Sequence, residues 1–462
     1  MRSNLGKWHL QQPVLFRFGV YLKSKITATV KETSDIMNMK ISRRVFVKRA
    51  VGSVAVPFFV CGTALGKSGS VAASERLVLA TIGHGGRCSR VMPHFLPYKQ
   101  VQFVAVCDAR RDRLLAGKKQ VDEFYGNKDC AAYGDFRELL ARDDIDAVFI
   151  ATGDRWHSMA SIMAARAGKD VYSEKPMSLT IEESRAVVET MKRFGTVYQC
   201  GHQRRSVDSY RFQTEVAQSG LIGKVHTVIA QNWENPVIKP QGPAPVPEGV
   251  DYDMWLGPTP WHPFVPARFY GWNYFWDTGG GTIIAMGCHY TDIAQWGLDT
   301  DDTGPVHYQG TAEFIPDNFY DAPKTAEVTC TYADDRKLIL LSLNKFEDRF
   351  IKFIGDEGWI QVDDGTNVLT AEPKSILKLR GISAKSWANP GGHIEDFLRC
   401  IRTRQETVCS PEKSHRATTI GHIANICLRL GKELTWNPKT ERFDDADANR
   451  MISRSMRPPW RL

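Results

Sequence analysis

The 462-residue sequence has no apolar run of about 18–20 residues, which argues against a polytopic membrane protein. It has no fixed-period repeat and no low-complexity tract, so neither a solenoid nor a disordered chain is expected. Its ten cysteines (61, 88, 107, 130, 200, 288, 330, 400, 409 and 427) form no Cys-x-x-Cys pair and no zinc spacing. Neither a metal centre nor a disulfide framework is therefore expected, and most of the cysteines read as small buried apolar residues. The body of the chain also lacks excess positive charge. The net +8 arises in residues 1–73, which hold 12 Lys/Arg against 2 Asp/Glu, whereas residues 74–462 hold 48 against 50. Such a body has no general pull on phosphate backbones, so no nucleic-acid partner is expected.

What is present falls into three parts. Residues 1–73 read as a leader. Ser42-Arg43-Arg44-Val45-Phe46-Val47-Lys48 precedes an apolar stretch from Val51 to Leu65, and Ser70-Val71-Ala72 offers a small-residue cleavage site. The arginine pair followed by Phe and Lys resembles the twin-arginine export signal. This predicts a periplasmic protein exported by the twin-arginine machinery, with anchoring by an uncleaved leader as the alternative. Residues 1–38 are odd for such a signal, whose charged start is usually short, and Met37 and Met39 are alternative starts.

Residues 74–201 alternate short β-branched runs with longer helical patterns. Strands are expected at 77–83, 102–108, 146–153, 169–174 and 196–201, and helices at 87–96, 110–125, 136–142, 156–168 and 181–195. This order predicts an α/β Rossmann domain, a parallel sheet covered by helices on both faces. In residues 202–462 the pattern changes. A helix (207–219) and a strand (224–233) precede a Pro-rich irregular stretch at 236–266, long enough to suggest a functional loop or lid. A short helix (289–297), grouped strands between 325 and 363 and two late helices (392–404 and 414–431) follow. They predict an α+β domain with an open, mostly antiparallel sheet for substrate binding and oligomerisation.

Strand, then Gly83-x-Gly85-x-x-Cys88, then helix is the setting of a dinucleotide fingerprint. Gly83 permits the tight turn and Gly85 a close approach to a pyrophosphate. Gly86 and Arg87 open the helix whose free N–H groups face it. Cys88 stands where the third glycine is usual. Asp108, ending the second strand, suits a ribose 2′-hydroxyl, while Arg110 or Arg111 could hold a 2′-phosphate, so the cofactor expected is NAD or NADP.

Three further stretches carry chemistry. Thr152 to His157, including Trp156, follows a strand at the carboxyl edge where ligands sit. Glu174-Lys175-Pro176 follows the next strand, and the proline keeps Lys175 extended at the strand tip. A Gly-rich turn, Gly279-Gly280-Gly281, leads to His289 and Asp292, which share a helix face at i and i+3. Lys175 can stabilise a developing alkoxide. His289, near a helix N-terminus that lowers its pKa, suits a neutral base.

On these residues the chain resembles the Gfo/Idh/MocA family of nicotinamide-dependent oxidoreductases over essentially all of 76–462. Glu174-Lys175-Pro176 is the most specific mark. Asp251 to Pro258 and the tail from Pro411 resemble a secreted bacterial branch with twin-arginine leaders. The resemblance implies that Lys175 and His289 act at the substrate hydroxyl, with Glu174 near the nicotinamide. It also implies a homo-oligomer built on the second domain's sheet. Two departures stand out. Ala285 replaces the aspartate usual four residues before the histidine, with Asp292 as its expected substitute. Thr152-Gly153 stands where Thr-Pro is usual.

Six of the twelve tryptophans lie between 233 and 296. Of these, Trp261 and Trp272 are the expected sugar platforms, with Arg204 as a further substrate contact. The expected activity is hydride transfer between nicotinamide and a sugar or polyol carbon. The alternative is an NAD-dependent glycosidase that oxidises, eliminates and re-reduces, and a third reading is a cofactor-holding sugar sensor without turnover.

Overall fold

The computed structural model describes residues 71–379 and 392–462; the twin-arginine motif and most of the leader lie outside them. From Leu77 strands and helices alternate: β1 (Leu77–Ile82), α1 (Gly86–Phe95), β2 (Val101–Cys107), α2 (Arg111–Tyr125), β3 (Ala131–Tyr133), α3 (Phe136–Leu140), β4 (Ala147–Ile150), α4 (Asp154–Arg166), β5 (Asp170–Ser173), α5 (Ile181–Phe194) and β6 (Tyr198–Cys200). The six strands form one parallel sheet, ordered β3-β2-β1-β4-β5-β6. Every residue of β4 and β5 is buried, as parallel strands covered on both faces require. Local signals set the helices. In α5 the Thr180 side chain accepts from the Glu183 N–H, Glu182 and Glu183 occupy the first turn, and Gly195 closes the helix in the left-handed region. The chain order reverses between β1 and β4, which opens a crevice at the carboxyl ends of those strands.

The second half contains α6 (Asp208–Ser219), β7 (Val225–Trp233), α7 (Tyr252–Leu256), α8 (Pro266–Tyr270), α9 (Thr282–Ala285) and α10 (Gly287–Gly297). These are followed by β8 (His307–Glu313), β9 (Thr325–Thr331), β10 (Lys337–Asn344), β11 (Phe350–Gly355), β12 (Gly358–Asp363), β13 (Leu369–Glu372), α11 (Gly392–Thr403), α12 (Pro411–Leu430), β14 (Leu434–Asn437), β15 (Arg442–Phe443) and α13 (Ala446–Arg450). The nine strands form a sheet ordered β13-β12-β11-β7-β10-β9-β8-β14-β15, in which only β7 and β10 pair in parallel. Burial alternates along β9, β11 and β12. One sheet face therefore packs under α10 and α12, with Tyr290, Ile293, Phe353 and Ile423 in its core. The nine cysteines among the described residues are unpaired and buried.

The Pro-rich stretch is tied down rather than loose. Residues 249–258 run across the Rossmann half. Arg111 N donates to Gly249 O at 2.8 Å and Asp251 N to Ala109 O at 2.9 Å. The chain tail holds the stretch in place. Arg457 N donates to Pro258 O at 3.0 Å, and Trp460 meets Trp156 edge to face at 4.7 Å between ring centroids.

Candidate active site

The crevice above β1, β2 and β4 is a cleft of about 900 Å³ measured to its open mouth. Gly83, Gly85, Gly86, Arg87, Asp108, Thr152 and Trp156 all line it, and so do Met254, Trp255 and Trp272 from the second half. Gly83 has φ +85°, and a Cβ there would lie 2.8 Å from the Thr152 backbone nitrogen, so only glycine fits this turn. Cys88 is fully buried against the sheet, consistent with a small residue in place of the third glycine. Asp108 ties the turn together, its two carboxylate oxygens accepting from His84 N at 2.7 Å and Arg110 N at 2.8 Å. Burial raises its pKa, while those hydrogen bonds and the charges of Arg113 and Arg110 oppose the rise. Arg110 pairs with Asp112, Arg111 is exposed, and Arg113, which sequence reasoning passed over, lines the cleft.

Trp156 donates its indole N–H to Met254 O at 2.9 Å, and so forms part of the wall. Its neighbour Arg155 lies in the stretch that the sequence singled out but was given no role there. This guanidinium is buried, lies 3.9 Å over the Trp255 ring and donates to Trp255 O at 2.6 Å. One of its terminal nitrogens has no partner, and burial lowers its pKa to about 9. His157 does not line the cleft. Its ring nitrogens lie 2.7 Å from Pro176 O and 3.3 Å from Thr152 O, and burial lowers its pKa to about 4. It fastens the β4–α4 turn to the turn after β5, a structural role in place of the expected cofactor contact.

At the end of β5, Glu174 is buried. One of its oxygens accepts from Arg87 and Gln203, both at 2.9 Å, and the other has no partner. Arg87 therefore reaches the cleft as the partner of Glu174. The half-buried Lys175 donates through Nζ to the carbonyl of Ala285, at the end of α9. His289, 4% exposed in the first turn of α10, presents an unpartnered Nδ1. Its pKa lies well below the ordinary histidine value. The leading cause is burial, followed by the cations Arg204 and Lys175. The structure thus joins Lys175 to the α9–α10 segment that carries His289, across 110 residues of sequence.

Three expected substrate or catalytic residues are placed otherwise. Asp292 is fully buried and accepts from Arg205 Nε at 2.9 Å through both oxygens. It is bound in a structural pair that Asp301 completes at 2.6 Å, so it does not stand in for the aspartate missing at 285. Arg204 donates to Asp364 at 2.6 Å and packs over Tyr290, held by structure and acting on His289 by its charge. Trp261 is 63% exposed, and Trp272 faces the cleft beside Arg155, so neither forms a platform next to His289.

Two residues that no spacing rule marks complete the site. His202 is fully buried after β6, meets His289 edge to face at 5.7 Å, and has no partner on either ring nitrogen. Asp154, the first residue of α4, is 4% exposed with one unpartnered oxygen. Burial pushes its pKa up to about 7 against the nearby charges of Lys175 and Arg155. A buried polar group left unpaired costs about 1–3 kcal/mol. Four such groups around one lysine describe a place built to receive a polar ligand. Among the described residues no group of three His, Cys, Asp or Glu is placed to hold a metal ion.

The chain matches two family models: Oxidoreductase family, NAD-binding Rossmann fold, over residues 78–202, and Oxidoreductase family, C-terminal alpha/beta domain, over residues 220–462. It is 22% identical over 370 residues to the uncharacterized oxidoreductase YrbE of Bacillus subtilis, covering 78% of this chain and 96% of that protein. It is 30% identical over 165 residues to myo-inositol 2-dehydrogenase of Thermotoga maritima, covering 36% of this chain and 46% of that one. The crystal structure of scyllo-inositol dehydrogenase from Lactobacillus casei with bound NAD(H) and scyllo-inositol superposes with a TM-score of 0.57 at 17% identity. That match covers 78% of this chain and 99% of that one.

Proposed function

The chain belongs to the Gfo/Idh/MocA family of nicotinamide-dependent oxidoreductases, and from that premise we propose that it moves a hydride between the nicotinamide and a hydroxyl-bearing carbon of a sugar or polyol. The observation that carries this reading is the cluster of buried, unpartnered groups around Lys175 at the carboxyl edge of the parallel sheet. The cleft residues fit a dinucleotide. Gly83 leaves room where any side chain would collide, and the cations Arg87, Arg113 and Arg155 line the space its phosphates would take. When bound, the nicotinamide supplies the hydride acceptor or donor.

The chain's own residues handle the substrate. Lys175 holds the carbinol oxygen and stabilises the charge that develops on it. His289, kept neutral by burial, presents a ring nitrogen to the reacting hydroxyl. His202 offers a second imidazole to a neighbouring hydroxyl. Arg204 is already paired with Asp364 and Arg87 with Glu174, which favours a neutral sugar or polyol over an acid.

The segment of residues 249–258, whose Met254 and Trp255 line the cleft, supports a cofactor that stays bound through export by the twin-arginine machinery, the location proposed here. The alternating burial of β9, β11 and β12 leaves a sheet face for a homo-oligomer. Native mass spectrometry of the purified full chain tests retention: a mass excess equal to the dinucleotide is expected. Incubation with myo-inositol, followed at the nicotinamide absorbance, tests the activity. Absence of any dinucleotide binding would end this reading. Release of an aglycone from an aryl glycoside without net absorbance change would replace it with the glycosidase.

A further inference from the structure

Three arginines line the cleft, and each is held differently. Arg87 is paired with Glu174, and Arg113 is half-buried. Arg155, in the first turn of α4, is 3% exposed. Among the described residues its one hydrogen-bond acceptor is the Trp255 carbonyl, 2.6 Å from Nε, and no carboxylate lies within ion-pair distance of it. Nη1 is enclosed without an acceptor. Asp154 and Asp277 act on the guanidinium through their charge only, and Asp277 is already bound by Arg268 and His262. A buried cation with no anion beside it is costly, and an arginine held that way in a cleft is completed by an anionic ligand.

Two residues build the position. The guanidinium carbon lies 3.9 Å over the ring of Trp255, whose carbonyl also takes Nε, so the segment of residues 249–258 fixes the cation from the second half of the chain. Gly153 gives it room. Its φ of −78° and ψ of 155° describe a backbone that any residue adopts, yet a Cβ there would lie 2.5 Å from Nη1. This glycine is needed for space and not for conformation. The departure Thr152-Gly153, where Thr-Pro is usual, is thereby explained, because a proline carries the same Cβ. We propose that Arg155 is a diphosphate-binding cation of the cofactor cleft, positioned from the second half by Trp255 and accommodated by Gly153. The inference rests on the oxidoreductase reading above. The cofactor's diphosphate would then be met from two sides, by the glycine turn of the Rossmann half and by a guanidinium fastened to the cleft wall. Displacing the wall at Trp255 would draw Arg155 away with it, so the contact that shapes the cleft also resists loss of the dinucleotide.

The test uses the full chain and three variants, Arg155→Gln, Gly153→Ala and the double variant. NADH and ADP-ribose serve as probes that carry the diphosphate, and adenosine as a probe that lacks it. The Kd for NADH is read from its fluorescence, and those of the other two from their displacement of NADH. Arg155→Gln is expected to weaken NADH and ADP-ribose about 10–100-fold, while adenosine changes by less than about threefold. Gly153→Ala leaves the arginine in the chain but moves its guanidinium. It should reproduce most of the loss for both diphosphates, with the urea unfolding midpoint unchanged. The double variant should bind no more weakly than Arg155→Gln, because both changes remove one and the same contact. NADH binding by Arg155→Gln within about threefold of wild type would overturn the proposal. So would an equal loss for adenosine, which would make Arg155 a shaper of the wall, or losses that add in the double variant. Failure of the wild type to bind either NADH or NADPH would strike the oxidoreductase reading instead, whereas wild-type binding with indifferent variants strikes only the assignment of Arg155.

Discussion

Helix α10 carries two buried polar groups three residues apart that have opposite surroundings. Asp292 has both oxygens bound by Arg205, which Asp301 also holds. His289 has an unpartnered nitrogen, and its neighbour His202 has two. Both groups are fully enclosed, so burial alone does not separate structure from function. The difference lies in the hydrogen bonds left open. A closed network fixes the domain, whereas an open one waits for a ligand to complete it.

Breaking the closed network should have the largest effect, and it should fall on stability. Arg205→Ala strands a buried carboxylate and is expected to cost about 3–5 kcal/mol, read from urea unfolding of the full chain. Breaking the open cluster should fall on turnover. Lys175→Ala is expected to lower kcat about 10²–10³-fold, with unfolding midpoint and dinucleotide binding unchanged. More than a tenth of wild-type activity would remove Lys175 from its role.

A second closed network sharpens the comparison by pH. Glu441 accepts from His415 at 2.9 Å and is bound by Arg185. Burial pushes its carboxyl up, but the hydrogen bonds from His415 and Arg185 outweigh this and bring it to about 2, below the ordinary 4.5. Its contribution is therefore complete above about pH 4.5 and is lost as the pH falls toward 2. Discounted for partial exposure, it amounts to about 1–2 kcal/mol. Glu441→Gln should be less stable than wild type near pH 6, and the gap should shrink near pH 3. The smallest effect is expected at His202. His202→Phe removes two unpaired nitrogens, so stability should hold within about 1 kcal/mol, while kcat/KM for a polyol falls about tenfold.

Much of this was legible in residue order. The alternation from Leu77 to Cys200 located each of the longer strands and helices of the Rossmann half to within a few residues, because a parallel sheet repeats its strand–helix unit. Glu174-Lys175 and His289 also fell where expected. What escaped were elements without periodicity. β3 has three residues, and β8, with the sequence His-Tyr-Gln-Gly-Thr-Ala-Glu, buries only Tyr308. Asp292 was misplaced because its partner Arg205 lies 87 residues away, which no spacing reveals. Asp154, Arg155 and His202 sit in stretches that drew attention, but only the enclosure that tertiary packing creates marks them out. The Pro-rich stretch read as a possible lid, and its hydrogen bonds to Ala109, Arg111 and Trp156 make it part of the cleft wall.

That wall is closed from far along the chain. Arg457 donates to Gly257 and Pro258, and Trp460 wedges against Trp156 and Phe136. During synthesis the Rossmann half is finished some 250 residues before Trp460 is made. The contacts of Arg457 and Trp460 with that wall are therefore the last of its contacts to become available.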